Sequence, residues 1–167
     1  MSQSIPDMVL RSSGAALIRR QPEQALRRTR RETAAVLSHV PLFAGFSKKA
    51  LASLAEETDV VSFSAGQKIV EEGRLGEAMF VILSGEATVL KGERRLGIMV
   101  PGDFFGEVAV LDGSPRSATV VAATPLVVIR LFRRTLLRFL EAEPQLAIKI
   151  LDGIVRRMRA LTSSLDA

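Results

Sequence analysis

Two charged side chains near the middle of the chain, Glu107 and Arg116, have types and spacing suited to binding a sugar hydroxyl beside a phosphate. A guanidinium offers two parallel N–H donors to a phosphate, and a carboxylate accepts a hydrogen bond from a hydroxyl. Pro115 restricts the turn before the arginine, and Gly106 lets the backbone approach a ligand closely. A short helix beginning here would also present unpaired N–H groups to an anion. The pattern therefore indicates an anion-binding site next to a hydroxyl-binding site.

The segments that must position these residues are short and rich in β-branched side chains, from Asp59 to Phe132. Gly, Pro or Asp interrupts them at close intervals, which is typical of antiparallel strands in a sandwich or barrel. A parallel sheet would need helices between the strands. The sequence therefore predicts a mainly β fold with flanking helices.

Helical spacing precedes and follows the β region. Pro22 suits the first turn of a helix that ends before Pro41, and Ser47 suits the N-cap of a second helix. A short helix is also expected near residues 15–20. After the strands, residues 133–141 predict one helix, and Pro144 begins a longer one with an apolar stripe.

The segment FGEVAVLDGSPRSATV, residues 105–120, resembles the phosphate-binding cassette of the cyclic-nucleotide-binding domain family. That family includes the catabolite activator protein, the regulatory subunits of protein kinase A and the cyclic-nucleotide-gated channels. PLFAGFSKKALASLA resembles the family's entry helix, and VEEGRLGEAMFVILSGEATV resembles its hairpin, with turn glycines at Gly73, Gly76 and Gly85. The resemblance extends over residues 40–161.

The resemblance implies an antiparallel β jelly roll, or double-stranded β-helix, with an N-terminal helical segment and C-terminal helices. It also implies that the long C-terminal helix either covers the purine as a lid or pairs with its copy. Ser117 after the cassette arginine favours cAMP, with cGMP as the alternative. The ligand-binding residues expected from the cassette and the lid are Phe105, Gly106, Glu107, Val108, Ala109, Arg116, Ser117, Ala118, Arg159 and Thr162.

The residue types needed for catalysis are scarce. The chain has one histidine, His39, and no cysteine, and the acidic pairs at 56–57 and 71–72 are typical of solvated faces. We expect no catalytic residues, no metal site and no cofactor, and we expect a binding protein rather than an enzyme. The structural alternative is an ion pair between Glu107 and Arg116, and the phenylalanines are expected to belong to the core.

The overall composition favours a soluble cytoplasmic protein. Hydrophobic residues make up 47% of the chain and charged residues 25%, and no uncharged apolar run approaches the roughly 18 residues of a membrane span. The absence of cysteine fits a reducing compartment.

Basic charge is concentrated at the N-terminus, where residues 1–38 carry +4 of the net charge of +5. We therefore expect a basic arm and helix over residues 1–39 and a cyclic nucleotide-binding domain over residues 40–167.

The leading hypothesis is a sensor that signals by helix movement, to an unknown effector protein or through a homodimer formed by the C-terminal helix. One alternative is a regulator that binds nucleic acid or an anionic surface through the arm, which is less favoured because no aromatic residue alternates with the arginines. The other is a scaffold that has lost its ligand.

Overall fold

The computed structural model describes residues 24–25 and 29–165 of the 167-residue chain. The helix expected near residues 15–20 lies outside the described residues. In chain order the elements are β1 (Gln24–Ala25), α1 (Arg30–Ser38), a 3₁₀ helix (Pro41–Phe43), α2 (Lys48–Glu57), β2 (Asp59–Phe63), β3 (Lys68–Val70), β4 (Ala78–Ser84), β5 (Ala87–Lys91), β6 (Arg94–Met99), β7 (Phe104–Phe105), α3 (Glu107–Asp112), β8 (Thr119–Ala122), β9 (Leu126–Phe132), α4 (Arg133–Ala142) and α5 (Pro144–Leu165).

The strands form two antiparallel sheets. One has the order β1-β2-β9-β4-β7 and the other the order β3-β8-β5-β6. The strand order departs from the sequence order in both sheets, so the chain crosses between the two layers as a roll requires. The predicted mainly β fold, an antiparallel jelly roll with flanking helices, is confirmed.

Strand β4 packs on both of its faces, because its residues from Ala78 to Ile82 are all buried. Successive side chains of a strand point to opposite faces. Phe80 and Ile82 accordingly pack between the two sheets, whereas Met79 and Val81 pack against the helices. Met79 and Val81 thus belong to a second core, between this sheet and the helices, to which α1, α2, α4 and the first half of α5 contribute side chains.

Among the described residues the first helix begins at Arg30, and the prediction of a helix from Pro22 onward was wrong at Gln24–Ala25, whereas Pro22 itself lies outside the described residues. Thr29 caps the helix: its hydroxyl accepts a hydrogen bond from the Glu32 backbone N–H, and the Glu32 carboxylate accepts one from the Thr29 N–H. This reciprocal capping box fixes the start of the helix. Upstream of it, Gln24–Ala25 pairs with β2 and extends the sheet, so this part of the predicted helix is strand.

The other helix boundaries agree with the sequence prediction. Ser47 caps α2 by accepting a hydrogen bond of 3.1 Å from the Ala50 N–H. Helices α4 and α5 begin at the predicted positions, and the first half of α5 is anchored in the core by Leu146 and Ile150. Among the described helices, none is long and apolar enough to cross a membrane.

Candidate functional site

A cavity of about 980 Å³ is lined by residues of both the β roll and α5. Its walls come from strands β5 and β6, the segment 101–109, residues 116–118 and one side of α5. Val89, Leu96 and Met99 make part of the roll side apolar, and Glu107 and Arg116 are buried charges of opposite sign on the same side. An apolar cavity with a few convergent charges is the usual form of a small-molecule site.

The segment that carries Glu107 is held at both ends by special backbone geometry. Phe105 pairs with Phe80 across the sheet, and their rings stack with centroids 5.2 Å apart. Gly106 and Gly113 then bracket the six-residue helix α3, with φ values of 86° and 72°. Only glycine adopts this left-handed region without a steric penalty. The two glycines therefore set where the short helix begins and ends.

Arg116 is 7% exposed, and its guanidinium faces the backbone around Gly106. Nη1 donates to the carbonyl of Gly106 at 2.9 Å, and Nη2 donates to the carbonyl of Ala78 at 2.7 Å. The backbone of Arg116 is paired with the turn at residues 73–74 by two hydrogen bonds of 2.8 Å each. Burial lowers the pKa of Arg116, and the nearby charge of Glu107 opposes that shift. Arginine remains protonated nonetheless, so the site keeps a buried positive charge.

Two glycines make room for this guanidinium. A Cβ on Gly76 would lie 2.2 Å from Nη2 of Arg116, and a Cβ on Gly106 would lie 2.6 Å from Nη1. Real Cβ atoms do not approach other heavy atoms this closely. Gly73 and Gly85 are turn glycines with positive φ, as expected, but Gly76 has no positive φ and is needed for space instead.

Glu107 is 1% exposed, and its carboxylate pairs with α5. Oε1 accepts a hydrogen bond from Nη2 of Arg157, while Oε2 has no hydrogen-bond partner among the described residues. The alternative interpretation of the sequence was a structural ion pair between Glu107 and Arg116. The structure instead gives Glu107 a salt bridge with Arg157, and Arg116 donates to backbone carbonyls.

Sequence reasoning missed Arg157. Its guanidinium carbon lies 4.9 Å from the centroid of the Phe104 ring, and its Nε donates to the carbonyl of Gly153 at 3.4 Å. A Cβ on Gly153 would lie 2.5 Å from Cζ of Phe104, so the helix approaches the ring closely at that glycine. The signal in the sequence was the i,i+4 pair of a glycine and an arginine, which share one face of a helix.

Eight of the ten predicted ligand-binding residues line the cavity, and two do not. Arg159 and Thr162 lie on α5 outside the lining, where Arg159 is exposed and the Thr162 hydroxyl donates to the Met158 carbonyl at 2.9 Å. The eight that the structure brings together are Phe105, Gly106, Glu107, Val108, Ala109, Arg116, Ser117 and Ala118.

The remaining candidates from the sequence lie away from the cavity. The paired glutamates each form an ion pair with a basic side chain: Glu56 with Arg30, Glu57 with Arg138, Glu71 with Lys68 and Arg74, and Glu72 with Lys91. His39 is exposed at the C-cap of α1. Within residues 24–25 and 29–165, no three His, Cys, Asp or Glu side chains come together as a metal site would require.

Comparison with known proteins places this geometry in one family. A model of the cyclic nucleotide-binding domain matches residues 60–143, about half of the chain. A cAMP-dependent protein kinase regulatory subunit of Aspergillus fumigatus is 42% identical over 106 residues, which cover 62% of this chain and 26% of that protein.

Solved structures show the same fold. One described as cAMP bound PfPKA-R superposes with a TM-score of 0.72 at 27% identity, covering 80% of this chain and 46% of the other. The catabolite activator protein of Thermus thermophilus superposes with a TM-score of 0.65 at 29% identity, covering 75% of this chain and 62% of the other. The chain thus spans less than two thirds of each of these three proteins. With residues 60–143 matched by the domain model, the chain belongs to the cyclic nucleotide-binding domain family.

Proposed function

We propose that the chain binds a cyclic mononucleotide in the cavity beside α5, with cAMP preferred over cGMP. The observation that carries the proposal is the placement of a buried arginine and a buried glutamate, Arg116 and Glu107, on one wall of that cavity. A relative is a regulatory subunit of a cAMP-dependent kinase, and one structural neighbour was solved with cAMP bound.

In this proposal Arg116 binds the cyclic phosphate. A guanidinium has five N–H donors, and the structure shows two of them donating to the carbonyls of Gly106 and Ala78. Those two hydrogen bonds orient the guanidinium, and its remaining N–H donors are suited to an anion. A phosphate bound here would also neutralise a charge that burial disfavours. Glu107 is assigned to a sugar hydroxyl, because its Oε2 accepts no bond from the described residues.

The base is assigned to the apolar part of the cavity, where Val89, Leu96 and Met99 offer a surface for a purine face. The preference for cAMP rests on Ser117, and Arg159 and Thr162 stay proposed contacts that require α5 to turn or close. The protein is proposed to act as a sensor without catalytic activity, located in the cytoplasm, with the boundary between arm and domain near residue 39.

The output is assigned to α5, because the side of this helix that faces away from the core exposes apolar side chains. Leu151 is 61% exposed and Met158 is 62% exposed. Together with Ile148 and Val155 they recur at intervals of three and four residues, which is the spacing of a coiled-coil seam. We assign this seam to a second copy of the chain, with an effector protein as the alternative occupant.

Isothermal titration calorimetry with cAMP and with cGMP tests the proposal. Arg116→Ala should weaken cAMP binding by roughly tenfold to several hundredfold, because a charge-assisted contact is lost. Arg134→Ala, which removes an exposed arginine from α4 outside the cavity, is the matched control and should bind like the wild type. Thermal unfolding of both variants shows that the fold persists. Wild-type protein that binds neither nucleotide, or a tenfold preference for cGMP, would contradict the function or the base assignment respectively.

A further inference from the structure

The carboxylate that the proposed site offers to a sugar hydroxyl is covered by a side chain from α5. Glu107 lines the cavity wall, yet only 1% of its side chain is accessible, whereas the side chain of Arg157 above it is 37% exposed. Oε1 of Glu107 is already paired with Arg157. A ligand in the cavity therefore meets the arginine before it can reach the carboxylate.

Arg157 is held in this position from three sides. Its guanidinium pairs with Glu107, lies 4.9 Å from the centroid of the Phe104 ring, and is tethered to the Gly153 carbonyl through Nε. A cation over an aromatic face and a partly buried ion pair both favour an ordered side chain. The close approach of Gly153 to Phe104 places the helix backbone at the distance that lets Arg157 reach.

The geometry points to Arg157 as a competitor of the ligand: it holds Oε1 of Glu107 in the free protein, and because Oε2 is unpartnered but also buried, a ribose hydroxyl reaches the carboxylate only when the arginine moves away. This inference rests on the proposed function. A 3′,5′-cyclic nucleotide has one free sugar hydroxyl, at the 2′ position, so that hydroxyl is the group that competes. The contact between the hydroxyl and Glu107 then replaces the contact between Arg157 and Glu107.

The exchange determines how strongly the site selects ligands that carry the 2′-hydroxyl, and it couples binding of that hydroxyl to α5. The free protein loses an ion pair when the hydroxyl binds, so the hydroxyl contributes less to affinity than an unobstructed carboxylate would allow. Since Arg157 belongs to α5, its release also frees the helix at the level of Gly153. A ligand without the hydroxyl would bind without releasing the arginine.

Calorimetry with cAMP and 2′-deoxy-cAMP tests this exchange in four proteins. Arg157→Gln should bind cAMP about three- to thirtyfold more tightly than wild type, because the competing charge-assisted contact is gone. Its affinity for 2′-deoxy-cAMP should stay within about twofold of wild type. Arg157→Lys keeps the positive charge and should lie between the two. Arg138→Gln is the matched control, since Arg138 also pairs with a glutamate, Glu57, and lies over a phenylalanine ring, but away from the cavity.

The ratio of the two dissociation constants decides the outcome. A larger preference for cAMP in Arg157→Gln than in wild type and in Arg138→Gln supports competition. An unchanged ratio shows that Arg157 does not act on the hydroxyl, and a smaller ratio shows that it assists the contact; either result overturns the inference and leaves the proposed function standing. Wild-type protein that binds neither nucleotide overturns both.

Discussion

Replacing Gly76 by alanine should weaken cyclic nucleotide binding while leaving the protein folded. A Cβ at this position would lie 2.2, 2.5 and 2.6 Å from Nη2, Nε and Cζ of Arg116. All three atoms belong to the far end of one side chain, so the guanidinium moves and the backbone stays in place. The backbone of Gly76 has no positive φ, and alanine fits it without strain.

The expected effects on stability and on affinity differ in size. Glycine to alanine at a compatible position stabilises a protein by about 0.4–1 kcal/mol, because the unfolded chain loses freedom. Displacing Arg116 loses its hydrogen bonds to the carbonyls of Gly106 and Ala78, each of which contributes on the order of 1 kcal/mol. The free energy of unfolding should therefore change by no more than about 2 kcal/mol. An arginine displaced by more than about 1 Å loses the geometry of a bidentate phosphate contact, so the affinity should fall roughly ten- to hundredfold.

A double-mutant cycle separates this mechanism from a general loss of fit. Calorimetry of the wild type, Gly76→Ala, Arg116→Ala and the double variant, with thermal unfolding of each, supplies the four affinities of the cycle. If the alanine acts through the guanidinium, it should change the affinity by less than about twofold once Arg116 is gone. A Gly76→Ala protein that binds cAMP like the wild type, or losses that add in the double variant, would refute the reasoning.

Three further predictions concern other parts of the structure. Thr29→Ala should lower the free energy of unfolding by about 0.5–2 kcal/mol in urea titrations, because it removes the cap of α1, and Thr29→Ser should restore it. The Gly92 N–H and Lys91 hold the pKa of Glu72 below its ordinary value, so this carboxylate stabilises the fold at pH values above that ordinary value. The stabilisation is lost as the pH falls through the lowered pKa, so Glu72→Gln should be less stable than wild type at neutral pH in urea titrations and should approach wild-type stability as the solution is acidified. Leu151→Glu should convert a dimer to a monomer in sedimentation velocity without changing cAMP affinity, and an unchanged sedimentation coefficient would argue against the seam on α5.

The strands and most helix boundaries could be predicted because they depend on local patterns. Alternation and turn residues mark the strands, and Ser47 and Pro144 mark helix starts whatever the rest of the chain does. The start of the first helix was wrong for two reasons. Thr29 and Glu32 form a capping box, a local pattern that the prediction from Pro22 did not consider. The pairing of Gln24–Ala25 with β2, by contrast, is a tertiary contact that no local pattern reports.

The site likewise contains residues that a local motif predicts and residues whose role depends on a distant contact. Residues 105–109 and 116–118 are close in sequence and lie on one wall of the cavity, so a motif of sixteen letters, residues 105–120, was enough to bring them together. Gly76 was interpreted as a turn glycine because its actual constraint comes from Arg116, a residue forty positions away. A glycine needed for space looks the same in a sequence as a glycine needed for a turn, and only the contact distinguishes them.

The choice among the arginines of α5 shows most clearly what a sequence lacks. Arg156, Arg157 and Arg159 lie within one turn, and each residue rotates the side-chain direction by about 100°, so Arg157 and Arg159 point about 200° apart. Arg156 and Arg157 both line the cavity, and which of the three reaches Glu107 depends on the rotation of the helix about its own axis. That rotation is fixed by Gly153, which faces Phe104 closely enough to exclude any side chain, and a residue four positions later must face the same way. The contact between Arg157 and Glu107 is therefore a consequence of how a glycine packs against a ring fifty residues away, and a variant with a Cβ at position 153 should turn or lift the helix and remove that contact without altering either charged residue.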